Sequence, residues 1–377
     1  MMRDGDLVRR PYLEVLEEVS GDHGVLKVIT GMRGVGKTTL MAQYAESLSS
    51  GKKPPVIVDL DFDSIVGFNI RDRNELRNAI LKGADPKGHS VIILHEVHQV
   101  PEWDRTVAEL ISTKDLGEFF ITASDDTVMS IRNIEGMRDK VVEIRMTPMS
   151  LPEFMELNNF RSPKVALKSY MKIGGLPAVR SNMPDDVAYG ILRGIFCEAV
   201  LKDVLTYEKS LSPTAAMNMA NHILVQSGTL MDSTDVSGAS GSSYRKSSKI
   251  VDAMAGCFLV FKNEGRSLMS KLRRNKIVYY AADIGLRNCI KGFHPDKLSI
   301  AENAVFIELK RLGYAIKIDG EGSERTLTAV DDESSTVYTV SKKAPATNTD
   351  GHIVITLEED DEHPGYLLSS FLADEAE

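Results

Sequence analysis

Gly31-Met32-Arg33-Gly34-Val35-Gly36-Lys37-Thr38 is the stretch that decides how this chain is read. Its spacing, G-x-x-x-x-G-K-[ST], is that of a phosphate-binding loop when a strand precedes it and a helix follows. Both are expected here. Val25-Leu-Lys-Val-Ile-Thr30 is a short, mostly apolar run of strand type, and Thr39-Leu-Met-Ala-Gln-Tyr-Ala-Glu46 has helical spacing. Glycines let the backbone wrap an anion with its N–H groups turned inward. The helix that follows presents the positive end of its dipole to the same anion. On this reading the backbone from Gly31 through Met32, Arg33, Gly34, Val35 and Gly36 cradles the phosphates of ATP. Lys37 reaches the β- and γ-phosphates, Thr38 offers its hydroxyl to Mg2+, and Thr39 continues the anion-facing first turn.

Outward from the loop, strand and helix patterns alternate. Residues 55–60, 90–94, 118–124 and 141–146 read as further strands, and 71–82 and 103–113 as helices. A helix over 11–19, with proline in its first turn, precedes them. Five apolar strands with helices between them argue for a parallel sheet covered on both faces. After Pro148 the pattern changes to helix upon helix, over 151–158, 164–173 and a long 185–208, with Gly174-Gly175-Leu176-Pro177 breaking the second from the third. Helices over 213–226, 232–240 and 242–255 precede a strand pair, 258–261 and 276–280, around a basic loop at 266–274. Three helices followed by a hairpin is the winged-helix order. A helix over 302–312 and short strands at 314–318, 336–340 and 352–357 come last, and the acidic run 358–362 reads as solvated. The fold class is therefore α/β: a P-loop parallel sheet, then a helical and winged-helix region, then a small α+β domain. The divisions expected are 1–24, 25–157, 158–212, 213–281 and 282–377.

A carboxylate at the end of a neighbouring strand usually holds Mg2+ in such a site, and AAA-type enzymes follow it with a Glu that polarises the attacking water. Here Val91-Ile-Ile-Leu94 is followed by His95-Glu96. Glu96 takes the position of the catalytic base. His95 stands where Asp is expected, and a neutral imidazole is a poor partner for a hard, oxygen-seeking ion. Nucleotide binding should survive this change and hydrolysis should be slow or absent. The other reading of His95 is a hydrogen-bonded core histidine with no metal role. The tip of the 118–124 strand can sense the γ-phosphate, with Ser124 the first candidate and Thr122 the second. Arg132 and Arg138 could serve as arginine fingers towards a neighbouring subunit, or be solvated surface residues. Two other patterns fail. His95-Glu96-Val97-His98 has Gln99 where a zinc-protease helix needs its second His, and Asp59-Leu-Asp61-Phe-Asp63 lacks the glycine and terminal Glu of a calcium loop.

The totals limit the partners. Net charge is −9 over 377 residues, so the whole molecule is no general polyanion binder. The charge is uneven, however. Residues 240–280 hold nine Lys and Arg against two acids, whereas 358–377 holds eight acids and no Lys or Arg. A local DNA-binding face at 240–280 therefore stays open. Cys197, Cys257 and Cys289 form no paired motif, which fits a reducing cytoplasm. The first ten residues have no apolar core, so no signal peptide is expected, and no run is long and apolar enough to span a membrane.

Taken in series, several stretches resemble a prokaryotic family that joins an AAA-type ATPase domain to a helical and winged-helix region and a restriction-endonuclease-like domain of unknown function. They are Ile29-Thr-Gly-Met-Arg-Gly-Val-Gly-Lys-Thr38, Ile92-Ile-Leu-His-Glu-Val-His-Gln-Val-Pro-Glu-Trp103, Phe120-Ile-Thr-Ala-Ser124, Thr147-Pro-Met-Ser-Leu-Pro-Glu-Phe154, Tyr170-Met-Lys-Ile-Gly-Gly-Leu-Pro177 and Ala301-Glu-Asn-Ala-Val-Phe-Ile-Glu-Leu309. The resemblance implies ATP binding and a homo-oligomer. It matches Glu302 to the first acid of the nuclease-like site. No acid appears in 325–330 and no lysine in 337–340, and Glu308-Leu-Lys310 falls on an expected helix, so that domain is read as a scaffold without nuclease chemistry. Two functions remain in view: an ATP-binding switch or weak ATPase coupled to the winged-helix region, and a nucleic-acid-binding protein with a regulatory, slowly hydrolysing ATP site.

Overall fold

The computed structural model describes residues 10–374 apart from 65–66, 114, 264–276, 293–296, 321–324, 332–333, 343–351 and 358–365. The chain divides into two compact units, one spanning Arg9–Met146 and the other from Thr147 onward.

The first unit is a five-stranded parallel sheet with helices on both faces. Its elements are α1 (Tyr12–Glu18), β1 (Leu26–Thr30), α2 (Lys37–Ser49), β2 (Val56–Asp61), α3 (Arg73–Gly83), β3 (Ser90–His95), α4 (Trp103–Thr113), β4 (Gly117–Ala123) and β5 (Val141–Arg145). The strand order is β2-β3-β4-β1-β5, so β4 lies between the strand that feeds the glycine loop and the strand that ends in His95. Every residue of β1, β3 and β4 is buried, which is why these strands read as nearly continuous apolar runs rather than alternating ones. One face carries Leu26, Val28, Ile92, Leu94, Phe119 and Ile121 against α3 and α4 side chains such as Leu76, Ile80, Val107 and Leu110. On α2, Tyr44 is fully buried and its ring lies 5.0 Å from that of Phe120.

One residue of β1 breaks the apolar rule. Lys27 is fully buried, its ammonium 3.1 Å from the Glu118 carboxylate, and it also donates to the Asp22 carbonyl. Glu118 accepts in turn from Ser20, which takes a hydrogen bond from Tyr44. A buried pair is tolerable only when the remaining polar atoms are satisfied in this way.

The second unit begins with helices α5 (Leu151–Asn158), α6 (Pro163–Ile173) and α7 (Asp185–Glu198). The expected single helix over 185–208 is interrupted: α7 passes into a π-helical stretch, Ala199–Val204, before the short α8 (Leu205–Tyr207). The wider turn places Ala199, Val200, Asp203 and Val204 all inward. Then come α9 (Pro213–Val225), β6 (Leu230–Met231), α10 (Ser233–Ser240), α11 (Tyr244–Gly256), β7 (Val260–Asn263) and β8 (Ile277–Ala281), the strands forming an antiparallel sheet in the order β6-β8-β7. The basic loop expected at 266–274 and the acidic run at 358–362 lie outside the described residues. Helices α12 (Ile284–Lys291) and α13 (Lys297–Arg311) follow, then the strands β9 (Ala315–Asp319), β10 (Thr326–Val330), β11 (Ser335–Ser341), β12 (His352–Thr356) and β13 (Tyr366–Leu367), and a last turn α14 (Leu368–Phe371). These five strands form a mixed sheet in the order β13-β12-β11-β10-β9, antiparallel from β9 to β11 and parallel from β11 to β13.

The Gly174-Gly175 pair is explained by packing in this unit. Gly174 has φ +74°, and a Cβ there would stand 2.3 Å from Oδ1 of Asp283. Asp283 caps α12 by accepting from the Leu286 amide at 3.1 Å and reaches across to the Gly175 amide at 2.7 Å. Its complete burial pushes the carboxyl up to about 6, against the pull of the Gly175, Leu286 and Gly285 amides. Because the folded value lies above the ordinary Asp value of about 3.9, this group's contribution is present below pH 4 and is lost as pH rises through 6. Asp283→Asn should remove that term. Comparing the chemical unfolding of wild type and variant between pH 4 and 7, we expect the wild type to lose up to about 3 kcal/mol relative to the variant. Parallel pH dependences would contradict it.

Candidate nucleotide site

Parallel strands bring their C-terminal ends to one edge, and here they gather the sequence-derived candidates. Thr30 is in register with Ala123, and His95 with Thr122, so Gly31, Glu96 and Ser124 each follow the end of a neighbouring strand. Gly31 has φ +151°, and a Cβ on it would lie 2.4 Å from the Met146 carbonyl oxygen. Gly36, at φ +101°, turns the chain into the first residue of α2 from a left-handed conformation that costs glycine little. Both glycines are thus required by the loop's path. Met32 and Val35 point into the protein and are buried, whereas Thr38 and Thr39 are exposed on the first turn of α2. The result is a glycine-walled cradle with side-chain bulk directed away from it, at a helix N-terminus, which suits a polyphosphate.

Lys37, Ser124 and Glu96 form one hydrogen-bonded chain. The Lys37 ammonium donates to the Gly31 carbonyl at 2.7 Å, to the Met32 carbonyl at 3.2 Å and to Ser124 Oγ at 3.0 Å. Ser124 Oγ donates to Glu96 Oε1 at 2.7 Å, and the Ser124 amide donates to Oε2 at 2.9 Å. Lys37 and Glu96 themselves are 3.9 Å apart. All three side chains are buried. Glu96 also adopts φ +56°, ψ +33°, a left-handed conformation that costs a residue with a Cβ of the order of 1 kcal/mol and that recurs at functional turns. Ser124, rather than Thr122, is the residue of β4's tip that meets the loop.

Thr122 is engaged elsewhere. Its hydroxyl lies 2.9 Å from Nδ1 of His95, while Nε2 of His95 lies 3.2 Å from Asp59 Oδ1. His95 therefore lies between two protein groups, the Thr122 hydroxyl at Nδ1 and the Asp59 carboxylate near Nε2. Among the described residues no group of three or more His, Cys, Asp and Glu is placed to hold a metal ion.

Four further residues join the site without having been legible from any motif. Arg33 of the loop pairs with Asp63 at 2.7 Å, and Gln99 donates to the same carboxylate at 2.6 Å, tying the loop to the turn that carries Glu96. His98 Nε2 lies 3.0 Å from Asp125 Oδ2, and its Nδ1 lies 3.8 Å from Glu96 Oε2. Burial alone would raise the Asp125 carboxyl, but His98 and the Thr127 hydroxyl and amide hold it below the usual range. Asp125 follows Ser124, and His98 and Gln99 follow Glu96 within one turn. Arg132 and Arg138 are both exposed, Arg132 donating to the Val141 carbonyl.

Outside this edge, Glu302 accepts from Tyr280 at 2.6 Å and pairs with Arg325 at 2.8 Å, and Arg325 also donates to the Gly228 carbonyl. Asn303 braces β8 by donating to the Ala281 carbonyl at 2.9 Å. Glu308 sits on α13 and pairs with Arg311. On α11, Tyr244, Arg245, Lys246 and Lys249 are exposed, but Lys249 is paired with Glu208, and Lys262 of β7 with Asp252.

Residues 24–155 match the model of an AAA domain, and residues 164–297 that of a domain of unknown function. A protein of Haemophilus influenzae described as uncharacterized is 27% identical over 325 residues, which cover 82% of this chain and 80% of the relative. Another, from Methanocaldococcus jannaschii and likewise described as uncharacterized, is 23% identical over 314 residues, 77% of this chain and 67% of its own. A crystal structure of a DNA polymerase III gamma subunit-related protein of Thermotoga maritima aligns with 65% of this chain and 98% of its own at 11% identity, with a TM-score of 0.31. No helix among the described residues is long and apolar enough to cross a membrane.

Proposed function

We propose that the AAA domain over residues 24–155 binds ATP in the Gly31–Thr39 cradle and acts as a nucleotide-gated switch with weak turnover. Its output would be the region 213–281, which we read as a winged helix. The observation that carries this is the pairing of two facts at one sheet edge. The Lys37–Ser124–Glu96 chain supplies a phosphate-reaching cation, a polar sensor and a base. His95 withholds the carboxylate that would ordinarily organise Mg2+, lying between the Thr122 hydroxyl and the Asp59 carboxylate instead. Binding needs the first set, and efficient hydrolysis needs both.

Steady-state phosphate release and calorimetric ATP titration, on wild type and His95→Asp, test this. Both proteins should bind MgATP. His95→Asp should raise turnover at least about tenfold, because a carboxylate would then face the metal's water shell. A wild type that already turns over as fast as the variant would show that His95 is compatible with catalysis, and the switch would give way to an ordinary ATPase.

The exposed Arg132 and Arg138 suit fingers acting on a second copy in an oligomer. The nucleic-acid reading draws on Tyr244, Arg245 and Lys246, exposed together on α11, but neutralisation of Lys249 and Lys262 leaves it the weaker of the two. We read 282–377 as a scaffold, since Glu302 is consumed by its bonds to Tyr280 and Arg325.

A further inference from the structure

The Glu96 carboxylate is held by donors that a phosphate would compete for. Its Oε1 takes the Ser124 hydroxyl, and that hydroxyl in turn accepts from Lys37. When Lys37 and Ser124 turn to an anion, Glu96 keeps the Ser124 amide on Oε2 but loses its side-chain donor. A ring nitrogen that could replace it lies on its own turn. His98 Nδ1 is 3.8 Å from Oε2, just beyond hydrogen-bond distance, so a small side-chain rotation closes the gap. The ring cannot easily turn away, because Nε2 is pinned 3.0 Å from Asp125, whose carboxylate is almost completely buried and is fixed in its turn by Thr127. The groups facing the imidazole are thus two carboxylates, Asp125 and Glu96, with Lys37 behind the second. That geometry leaves Nδ1 as the ring atom turned towards Glu96.

We propose that His98, braced by Asp125, is a positioning residue for Glu96: it takes over the carboxylate from Ser124 when nucleotide enters the loop. This deepens, and rests on, the nucleotide reading given above. His98 does not touch the phosphates. It replaces one hydrogen bond of Glu96 with another, so the base stays oriented while Ser124 is recruited elsewhere.

The first readout needs no turnover. In the full chain with 15N-labelled histidine, eight imidazoles are observed, and the spectrum of His98→Gln assigns the one of interest. Gln keeps an N–H donor for Asp125, so the variant avoids leaving a buried carboxylate unpaired. On saturation with MgATPγS, the His98 Nδ1 resonance should move to that of a hydrogen-bonded N–H donor. His98→Gln should bind the analogue with unchanged affinity while lowering ATP turnover about tenfold or more at unchanged KM, the pattern of a misaimed group rather than a lost binding contact. If the analogue binds and the His98 resonance stays put, this proposal fails and the nucleotide reading stands. If the analogue does not bind, both fail together.

Discussion

Lys37→Ala is expected to weaken ATP binding by about a hundredfold or more without unfolding the protein. The ammonium is the one formal charge placed between the loop carbonyls of Gly31 and Met32 and the tip of β4, and it is 6% exposed. A charge-assisted hydrogen bond in such surroundings is worth roughly 1.5–3 kcal/mol, and Lys37 would supply more than one to the phosphates. Each 1.4 kcal/mol is about a tenfold change in affinity, which sets the hundredfold floor. Arg33 cannot substitute, since its guanidinium is paired with Asp63. The fold should persist because the groups vacated are carbonyls and a hydroxyl, not an opposite charge buried in contact: Glu96 stands 3.9 Å away and keeps both of its bonds to Ser124. Calorimetric titration with ATP, together with thermal melting, reads both parts. Unchanged affinity would remove the Gly31–Thr38 loop as the site, and with it the whole functional argument.

How far the sequence reaches depends on whether a feature is periodic. β1, β3 and β4 of the first unit are legible to within a residue or two because parallel strands buried on both faces leave a nearly uninterrupted apolar trace. Glu96 and Ser124 are legible because strand ends in this architecture have fixed chemical duties. The hidden features arise from tertiary packing. Lys27 looks like noise in an apolar run until Glu118, ninety-one residues on, is seen beside it. The π-helical stretch Ala199–Val204 has ordinary helical composition, and only its four inward side chains account for the widening. Helix α12 owes its placement to packing: every residue from Ile284 to Cys289 is buried, polar ones included. His95 is a case in point: the sequence leaves it open between metal partner and core residue, and its neighbours in the fold, Asp59 and Thr122, come from other strands.

Glu96→Gln is expected to cut ATP turnover by about 10²–10⁴-fold, the range lost with a general base, while leaving ATP affinity within about twofold. The isostere should be accommodated. Ser124 now offers Glu96 two donors, its amide and its hydroxyl. The Gln oxygen can keep the amide, and the Ser124 hydroxyl, already accepting from Lys37, can rotate to meet the new NH2 group. The left-handed backbone at this position strains Gln as much as Glu, so stability should change little. What is lost is the capacity to take a proton from water. The comparison is sharpest in the His95→Asp background, where turnover is expected to be higher and a large fall can be measured. Steady-state phosphate release on the single and double variants, with ATP titrations alongside, gives the answer. If His95→Asp/Glu96→Gln retained the turnover of His95→Asp, Glu96 would not be the base. Its bonds to Ser124 and Lys37's approach would then be structural, and the water-activating group would have to be sought among the other carboxylates at this edge, Asp59 and Asp63 first.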